Sequence, residues 1–191
     1  MQSTVLRTES PPLNEHILVR EAQTNGEAFA ELYRRNVDRV YRYHMAHTGN
    51  VKDAEDLTSQ TFMAALEGLS SFRGEAPFAA WLMGIASRKR ALFFRKLRPE
   101  VSLNDAVELP APGLLTEQLA DQRIQLNMVT HALRQLSPDR SEALILCYFS
   151  GLSHAESARV LGKSESAVKM LVSRGLQDLR ERTPLALEVE K

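Results

Sequence analysis

The sequence predicts an all-α protein: two small helical domains joined by a flexible linker, the second a four-helix domain containing a helix-turn-helix. Three observations predict it. Apolar residues recur at three- and four-residue spacing through most of the chain, the period of a helix that buries one face. No stretch alternates apolar and polar residues long enough to make a strand, and no internal repeat appears. Between the two helical stretches, Glu100 to about Pro112 lacks sustained periodicity and closes on Pro110, Pro112 and Gly113, the composition of a linker. The expected parts are an N-terminal arm over 1–24, a first domain over 25–98, an acidic linker over 99–116, a second domain over 117–183 and a tail over 184–191.

Within the arm, Pro11-Pro12 breaks any early helix, and a short helix is expected at His16–Ala22. From Glu27, the residues Phe29, Leu32, Tyr33, Val37, Val40 and Tyr41 fall on one helical face, and Gly49-Asn50 ends that helix. The next is expected to start at Asp53 and to bury Ala54, Leu57, Thr61, Phe62, Ala65, Leu66 and Leu69. Its first turn carries Asp53, Glu55 and Asp56, whose negative charge complements the positive end of the helix dipole. Ser70 to Glu75 reads as a loop. Pro77 suits the first turn of a helix that runs to about Leu97, packs through Phe78, Trp81, Leu82, Ile85, Leu92 and Phe93, and stops at Pro99.

Helical pattern resumes near Glu117 and runs to Leu136. Ser137-Pro138 then opens a helix through about Phe149. The stretch from Ser153 to Lys169 follows as two helices around a tight turn. Ser153 and Glu156 have the spacing of a capping box, Gly162 supplies a left-handed residue that stops the first helix, and Ser164 caps the second. Ala158 lets the two helices touch and Val168 buries the second against the first. On the second helix, Val168, Leu171, Val172, Gly175 and Leu179 make an inner stripe, while Lys169, Met170, Ser173, Arg174 and Gln177 point elsewhere. A helix-turn-helix needs this pattern to hold its second helix at the angle that enters a DNA major groove. An ordinary helical hairpin is the plainer alternative.

Composition excludes several classes. No apolar run reaches the length of a membrane span, and Met1 to Glu9 lacks the apolar core of a signal peptide, which points to the cytoplasm. The single cysteine, Cys147, sits in an apolar run and reads as a small buried hydrophobe. Lys and Arg total 24 and so do Asp and Glu, yet the charge is segregated. Ser87 to Arg98 holds Arg88, Lys89, Arg90, Arg95, Lys96 and Arg98 without an acid, whereas Asp53–Asp56 and Glu100–Asp121 are acidic. Separate blocks fit separate faces for separate partners. No Gly-rich phosphate loop appears, and no catalytic carboxylate pair stands apart from a helix start, so no enzyme, cofactor or metal is expected. His44 and His47 lie one turn apart but lack further ligands and read as exposed helix histidines. In the basic helix, Trp81, Phe93 and Phe94 fit either a packed core or a platform on which unpaired bases stack while the cations meet phosphates.

The order of these parts has a further meaning. Asp53-Ala54-Glu55-Asp56-Leu57-Thr58-Ser59-Gln60-Thr61-Phe62 is followed by Phe72-Arg73-Gly74, by Phe78-Ala79-Ala80-Trp81-Leu82-Met83-Gly84-Ile85-Ala86, by an acidic linker, and by Leu136-Ser137-Pro138 leading into the helix-turn-helix. Over roughly residues 25–182 the chain resembles the extracytoplasmic-function (group IV) sigma factors of bacterial RNA polymerase. The resemblance implies that Asp53, Glu55, Asp56, Leu57, Gln60 and Phe62 dock on the clamp coiled coil of the polymerase β′ subunit, with the β subunit as a further contact. It implies that the loop Ser71, Phe72, Arg73 and Gly74 captures a base flipped from the −10 element, while Trp81, Arg88, Lys89, Arg90, Arg95 and Lys96 hold the melted strand and the duplex edge. It implies that Ser164, Ser166, Lys169, Met170, Ser173 and Arg174 read the −35 element in the major groove, with Arg140 on a phosphate.

Core RNA polymerase, promoter DNA and an anti-sigma protein, membrane-linked or soluble, are the partners so implied, with no direct membrane insertion. Three positions depart from the family pattern: Arg88 stands where Asn is usual, Ser166-Ala167 replaces Gly-Thr, and Gly175-Leu176 removes a cation after Arg174. Two other readings use part of these features. A stand-alone helix-turn-helix regulator leaves the acidic helix unexplained. A sigma-like adaptor that binds proteins and not promoters fits the zero net charge.

Overall fold

A computed structural model describes residues 15–97 and 128–182, and every regular element among them is helical. The linker, residues 117–127 of the helix expected before Leu136, and Arg98 of the basic block lie outside the described residues, as do most of the arm and the tail. Helices α1 (Glu15–Ala22), α2 (Gly26–Thr48), α3 (Val51–Gly68) and α4 (Phe78–Leu97) form the first half, with a 3-10 turn at Leu69–Ser71 between the last two. The second half comprises α5 (128–134), α6 (Pro138–Leu144) running into a π turn at Ile145–Phe149, α7 (His154–Leu161) and α8 (Glu165–Arg182).

Local chemistry fixes the helix ends. Asn25 and Asn50 cap α2 and α3 by accepting from the Glu27 and Asp53 amides at 2.9 and 3.2 Å. The second cap sets the α3 start at Val51, two residues before the expected Asp53, which places Asp53 within the first turn. Gly49, at φ 66°, ends α2 in the left-handed conformation that a Cβ disfavours. The α4 amide of Phe78 is satisfied from afar: the Glu15 carboxylate accepts it at 2.7 Å, tying α1 to the start of α4.

The first core gathers Leu18, Val19, Leu32, Val40, Tyr43, Phe62, Leu69, Phe78, Leu82 and Met83. The buried stripe of α2 runs through Ala28, Leu32, Asn36, Val40, Tyr43 and His44, so Tyr33 falls off it and is 41% exposed. That stripe corrects the expectation for the histidines. His44 is fully buried (0%) and the His47 side chain is only 10% exposed, because α3 and the second half both pack on that end of α2. Thr61 donates its hydroxyl to the Leu57 carbonyl at 2.7 Å, so it must accept from His44 Nε2 at 3.0 Å. His44 is therefore the neutral Nε2–H tautomer, and burial, then the nearby His47 and Arg90, press its pKa to about 3.

In the second half, Leu133, Leu136, Ala143, Leu144, Ile145, Leu146, Leu152, Ala158, Val168 and Val172 are buried together. The expected capping box is present: Glu156 N–H donates to Ser153 Oγ at 3.2 Å and Ser153 N–H donates to Glu156 Oε2 at 2.8 Å. Gly162 sits at φ 63°, and Ser164 Oγ accepts the Ala167 amide at 3.2 Å. Gly175 of α8 lies so close to α6 that a Cβ there would meet Leu144 Cδ1 at 2.8 Å. The Gly175 that departs from the family pattern is thus the residue that lets α8 approach its scaffold.

The halves are packed against each other, α2 on the π turn and α4 on α7. Their seam is polar at its centre.

Candidate polymerase and promoter interfaces

Three surfaces carry the residues expected to act. On α3, Glu55, Asp56 and Gln60 are exposed and Asp53 is half-buried, a row of acids displayed by the first two turns. Leu57 and Phe62 face the other way, at 1% and 5% exposure, and hold α3 to the core rather than offering contact. The apolar part of this surface comes from residues that sequence reasoning did not place there: Met63 at 63% and Leu66 at 54% exposure. Met63 lies one and two turns on from Gln60 and Asp56, on the same stripe. Tyr33 extends the surface, its ring 4.6 Å from that of Phe62. An apolar residue out of phase with the core stripe was the signal in the sequence, and Leu66 was instead assigned to the core.

The second surface joins the loop after α3 to α4. Ser71 Oγ donates to the Gly68 carbonyl at 2.7 Å, which closes the turn. Phe72 is half-buried on an aromatic group with Trp81 at 5.0 Å and Phe78 at 6.0 Å between ring centroids. Arg73 projects into solvent near Glu75, and Gly74 takes φ 73°. On α4, Arg88, Arg95 and Lys96 are exposed and Lys89 is half-buried. Trp81, Gly84, Ser87 and Arg88 line a cavity of about 350 Å³ whose far wall is Arg159 and Val160 of α7. Of the two sequence readings of these aromatics, packing holds in part for the half-buried Trp81 and Phe93, while Phe94 remains 37% exposed.

The third surface is α8. Ser164, Ser166, Lys169, Met170, Ser173 and Arg174 are all exposed, and the spacing puts Ser166, Lys169, Met170, Ser173 and Arg174 on one side, opposite Val168 and Val172. Lys169 Nζ pairs with Glu165 at 2.8 Å, an exposed pair worth little and readily exchanged for a phosphate. Arg140 is held differently: its guanidinium pairs with Asp178 of α8, so a phosphate there competes with a carboxylate.

At the seam, Glu142 of α6 is buried, with an 8% exposed side chain, and all three of its partners belong to the other half. Tyr43 Oη donates to Oε1 at 2.6 Å, Arg90 Nη1 lies 2.8 Å from Oε2, and His47 Nε2 lies 3.2 Å from it. Arg90 also reaches His47 Nδ1 at 3.4 Å, which places the imidazole proton on Nε2, facing the carboxylate. Burial pushes the Glu142 carboxyl up, but His47, Arg90 and the Tyr43 hydroxyl outweigh it and hold it below the usual carboxylate range. Arg90, expected on DNA, is therefore engaged across the seam.

Residues 32–100 match the family description Sigma-70 region 2, and residues 126–179 match Sigma-70 region 4. The RNA polymerase sigma factor CnrH of Cupriavidus metallidurans is 30% identical over 177 residues, covering 86% of this chain and 92% of its own length. The chain belongs to the sigma-70 family, in its extracytoplasmic-function group. The ECF sigma factor BldN of Streptomyces coelicolor is 35% identical over 171 residues, 87% of this chain, and the chain spans less than two thirds of BldN, 65%. Among solved structures, CnrH in complex with the cytosolic domain of CnrY aligns at a TM-score of 0.71 with 26% identity, covering 88% of this chain and 96% of that one. The sigma factor RpoE from Bartonella quintana, bound to the anti-sigma factor NepR, aligns at 0.64 with 25% identity, covering 84% and 99%. The region 2 match takes in α2 from residue 32, α3 and α4, and the region 4 match takes in α5, α6, α7 and α8 up to residue 179. Among the described residues no helix is long and apolar enough to cross a membrane, and no three His, Cys, Asp or Glu side chains cluster as a metal site.

Proposed function

We propose that this chain is a promoter-specificity subunit of RNA polymerase: it binds the core enzyme, reads the −35 element as duplex and helps to open the −10 element. The single observation that carries the reading is the segregation of three differently composed surfaces on one all-helical frame. One is acidic and apolar, on α3; one is basic and aromatic, on α4 and its loop; one is the exposed face of α8. In this reading Glu55, Asp56, Gln60, Met63 and Leu66 meet the polymerase clamp, with Asp53 at the margin. Charge sets the rate of encounter and the apolar side chains add to affinity.

The −10 strand is held by Arg73, Arg88, Lys89, Arg95 and Lys96. The loop Ser71–Gly74, over the Phe72–Trp81 group, offers the stacking that offsets the few kcal/mol lost when a base leaves the helix. Lys169 and Arg174 contact the −35 major groove, with Ser164, Ser166, Met170 and Ser173 beside them. No side chain here performs chemistry; phosphodiester formation belongs to the polymerase, in the cytoplasm. An anti-sigma protein covers these surfaces when the factor is idle, as CnrY and NepR bind the related CnrH and RpoE.

The division of labour is tested by Lys169→Ala combined with Arg174→Ala. Transcription that depends on the −35 element should fall to background, while the pull-down of core polymerase stays at the wild-type level. An equal loss of core binding refutes the assignment of α8.

A further inference from the structure

The end of α8 that carries the −35 assignment also carries an acid that the assignment leaves unused. Glu165 is the first residue of α8 and is exposed. Two basic side chains flank it. Lys169 Nζ, one turn on, lies 2.8 Å from Glu165 Oε1. His154, the first residue of α7, is near enough for its charge to act on the same carboxyl. The Lys169 hydrogen bond, and then its charge, hold the Glu165 carboxyl below the usual carboxylate range, so it is ionised at neutral pH.

In water such an acid complements the helix dipole and pairs with the lysine one turn later. Neither effect accounts for it once α8 lies in a major groove. There the phosphates repel a carboxylate, and so do the acceptors on the groove floor: N7 and O6 of guanine, N7 of adenine and O4 of thymine. A carboxylate has no proton to donate, so it is tolerated only against an amino group. The groove offers two, N4 of cytosine and N6 of adenine. In a helix-turn-helix the N-terminal residues of the second helix reach base edges while the first helix crosses the backbone. Glu165 stands at that end of α8, beside the start of α7.

Lys169 decides between the two amino bases. The Glu165–Lys169 pair presents an acceptor and a donor 2.8 Å apart. A C·G pair presents the complementary set, the cytosine N4 donor and the guanine O6 acceptor, ~2.9 Å apart because they are hydrogen-bonded to each other. Guanine N7 gives the ammonium a second acceptor beside O6. Adenine N6 and thymine O4 have the same spacing, but adenine N7 then stands next to the carboxylate and repels it, and the thymine methyl crowds the ammonium. We infer that Glu165 and Lys169 together read one C·G pair of the −35 element, Glu165 accepting from cytosine N4 and Lys169 donating to guanine. The inference rests on the −35 role proposed for α8 and adds to it one residue and one base pair.

The test is transcription by the full chain with core polymerase on templates randomised across the −35 element, using wild type, Glu165→Ala, Glu165→Gln and Lys169→Ala. Wild type is expected to favour C at one position at least ~fivefold over each other base. Glu165→Ala should bring that preference below about twofold and leave the other positions as they were. Glu165→Gln should move it to A, because an amide accepts from adenine N6 and donates to N7. Lys169→Ala should weaken the preference for the same C·G pair. Output that falls equally on every template in the Glu165 variants, with base preferences unchanged, leaves Glu165 a helix-start acid and overturns the inference. A uniform loss in Lys169→Ala makes Lys169 a phosphate contact and overturns the paired reading. A wild-type holoenzyme that initiates with no −35 preference at all refutes the proposed role of α8, and this inference with it.

Discussion

His44 makes the fold sensitive to acid in a way that can be worked out from its surroundings. The ring is fully buried, donates from Nε2 to Thr61 at 3.0 Å, and its Nδ1 has no partner among the described residues to accept a second proton from it. Its pKa is about 3 in the folded chain, against an ordinary value of roughly 6.5 in the unfolded one. The unfolded state therefore takes up a proton that the folded state refuses, and stability falls as the pH drops through 6.5. At pH 5 the loss is ~2 kcal/mol relative to pH 7.5. That figure barely depends on the exact folded pKa, because any value below about 4 leaves the ring neutral at pH 5. His44→Gln keeps a donor toward Thr61 and removes the titration. Urea unfolding followed by circular dichroism at both pH values gives the comparison. His47 and Glu142 also titrate toward acid, but they do so in both chains and cancel in the difference. Wild type should lose about 2 kcal/mol more than His44→Gln between pH 7.5 and 5. Equal losses would mean that the ring is hydrated or protonated in the fold, and the packing described for α2 and α3 would be wrong.

Two further expectations concern the scaffold of α8 and the face of α3. Gly175→Ala gains roughly 1 kcal/mol of helix propensity, but it drives a methyl to 2.8 Å from buried Leu144 Cδ1, and such overpacking costs about 1–3 kcal/mol. The net effect on urea stability is a loss, and adding Leu144→Ala should give a double variant that loses less than the sum of the two single changes. Strict additivity would show that α6 and α8 are not in the contact described. Met63→Ser with Leu66→Ser should weaken core polymerase binding at least ~10-fold while moving stability by under about 0.5 kcal/mol, since both side chains face solvent. A binding assay that shows wild-type affinity would remove α3 as the docking face.

The parts of this molecule that were legible in the sequence are those decided by neighbours in the chain. The Ser153–Glu156 box, the Gly49 and Gly162 stops and the Ser164 cap depend on residues within one turn, and each stands where the sequence places it. The α8 surface followed from the helical period alone, because its inner stripe is strongly apolar. What sequence pattern missed depends on contacts between distant segments. His44 and His47 look like solvent residues until α3 and the second half pack onto α2. Arg90 reads as one more cation of a basic helix until Glu142, 52 positions later in the chain, is brought against it. On α3 the period was right but its phase was ambiguous. Leu57, Phe62 and Leu66 all fit an apolar face, and only packing separates the two that are buried from the one that is not. Gly175 looked like the loss of a cation; its cause lies in the close approach of Leu144.

The central claim, that one chain directs polymerase by reading two promoter elements, is tested most directly by run-off transcription with purified core polymerase on a promoter library. The account predicts transcripts from a subset of promoters that share both a −10 and a −35 sequence, lost when either element is scrambled. Binding of the chain to DNA with no effect on which promoters the polymerase transcribes would contradict it.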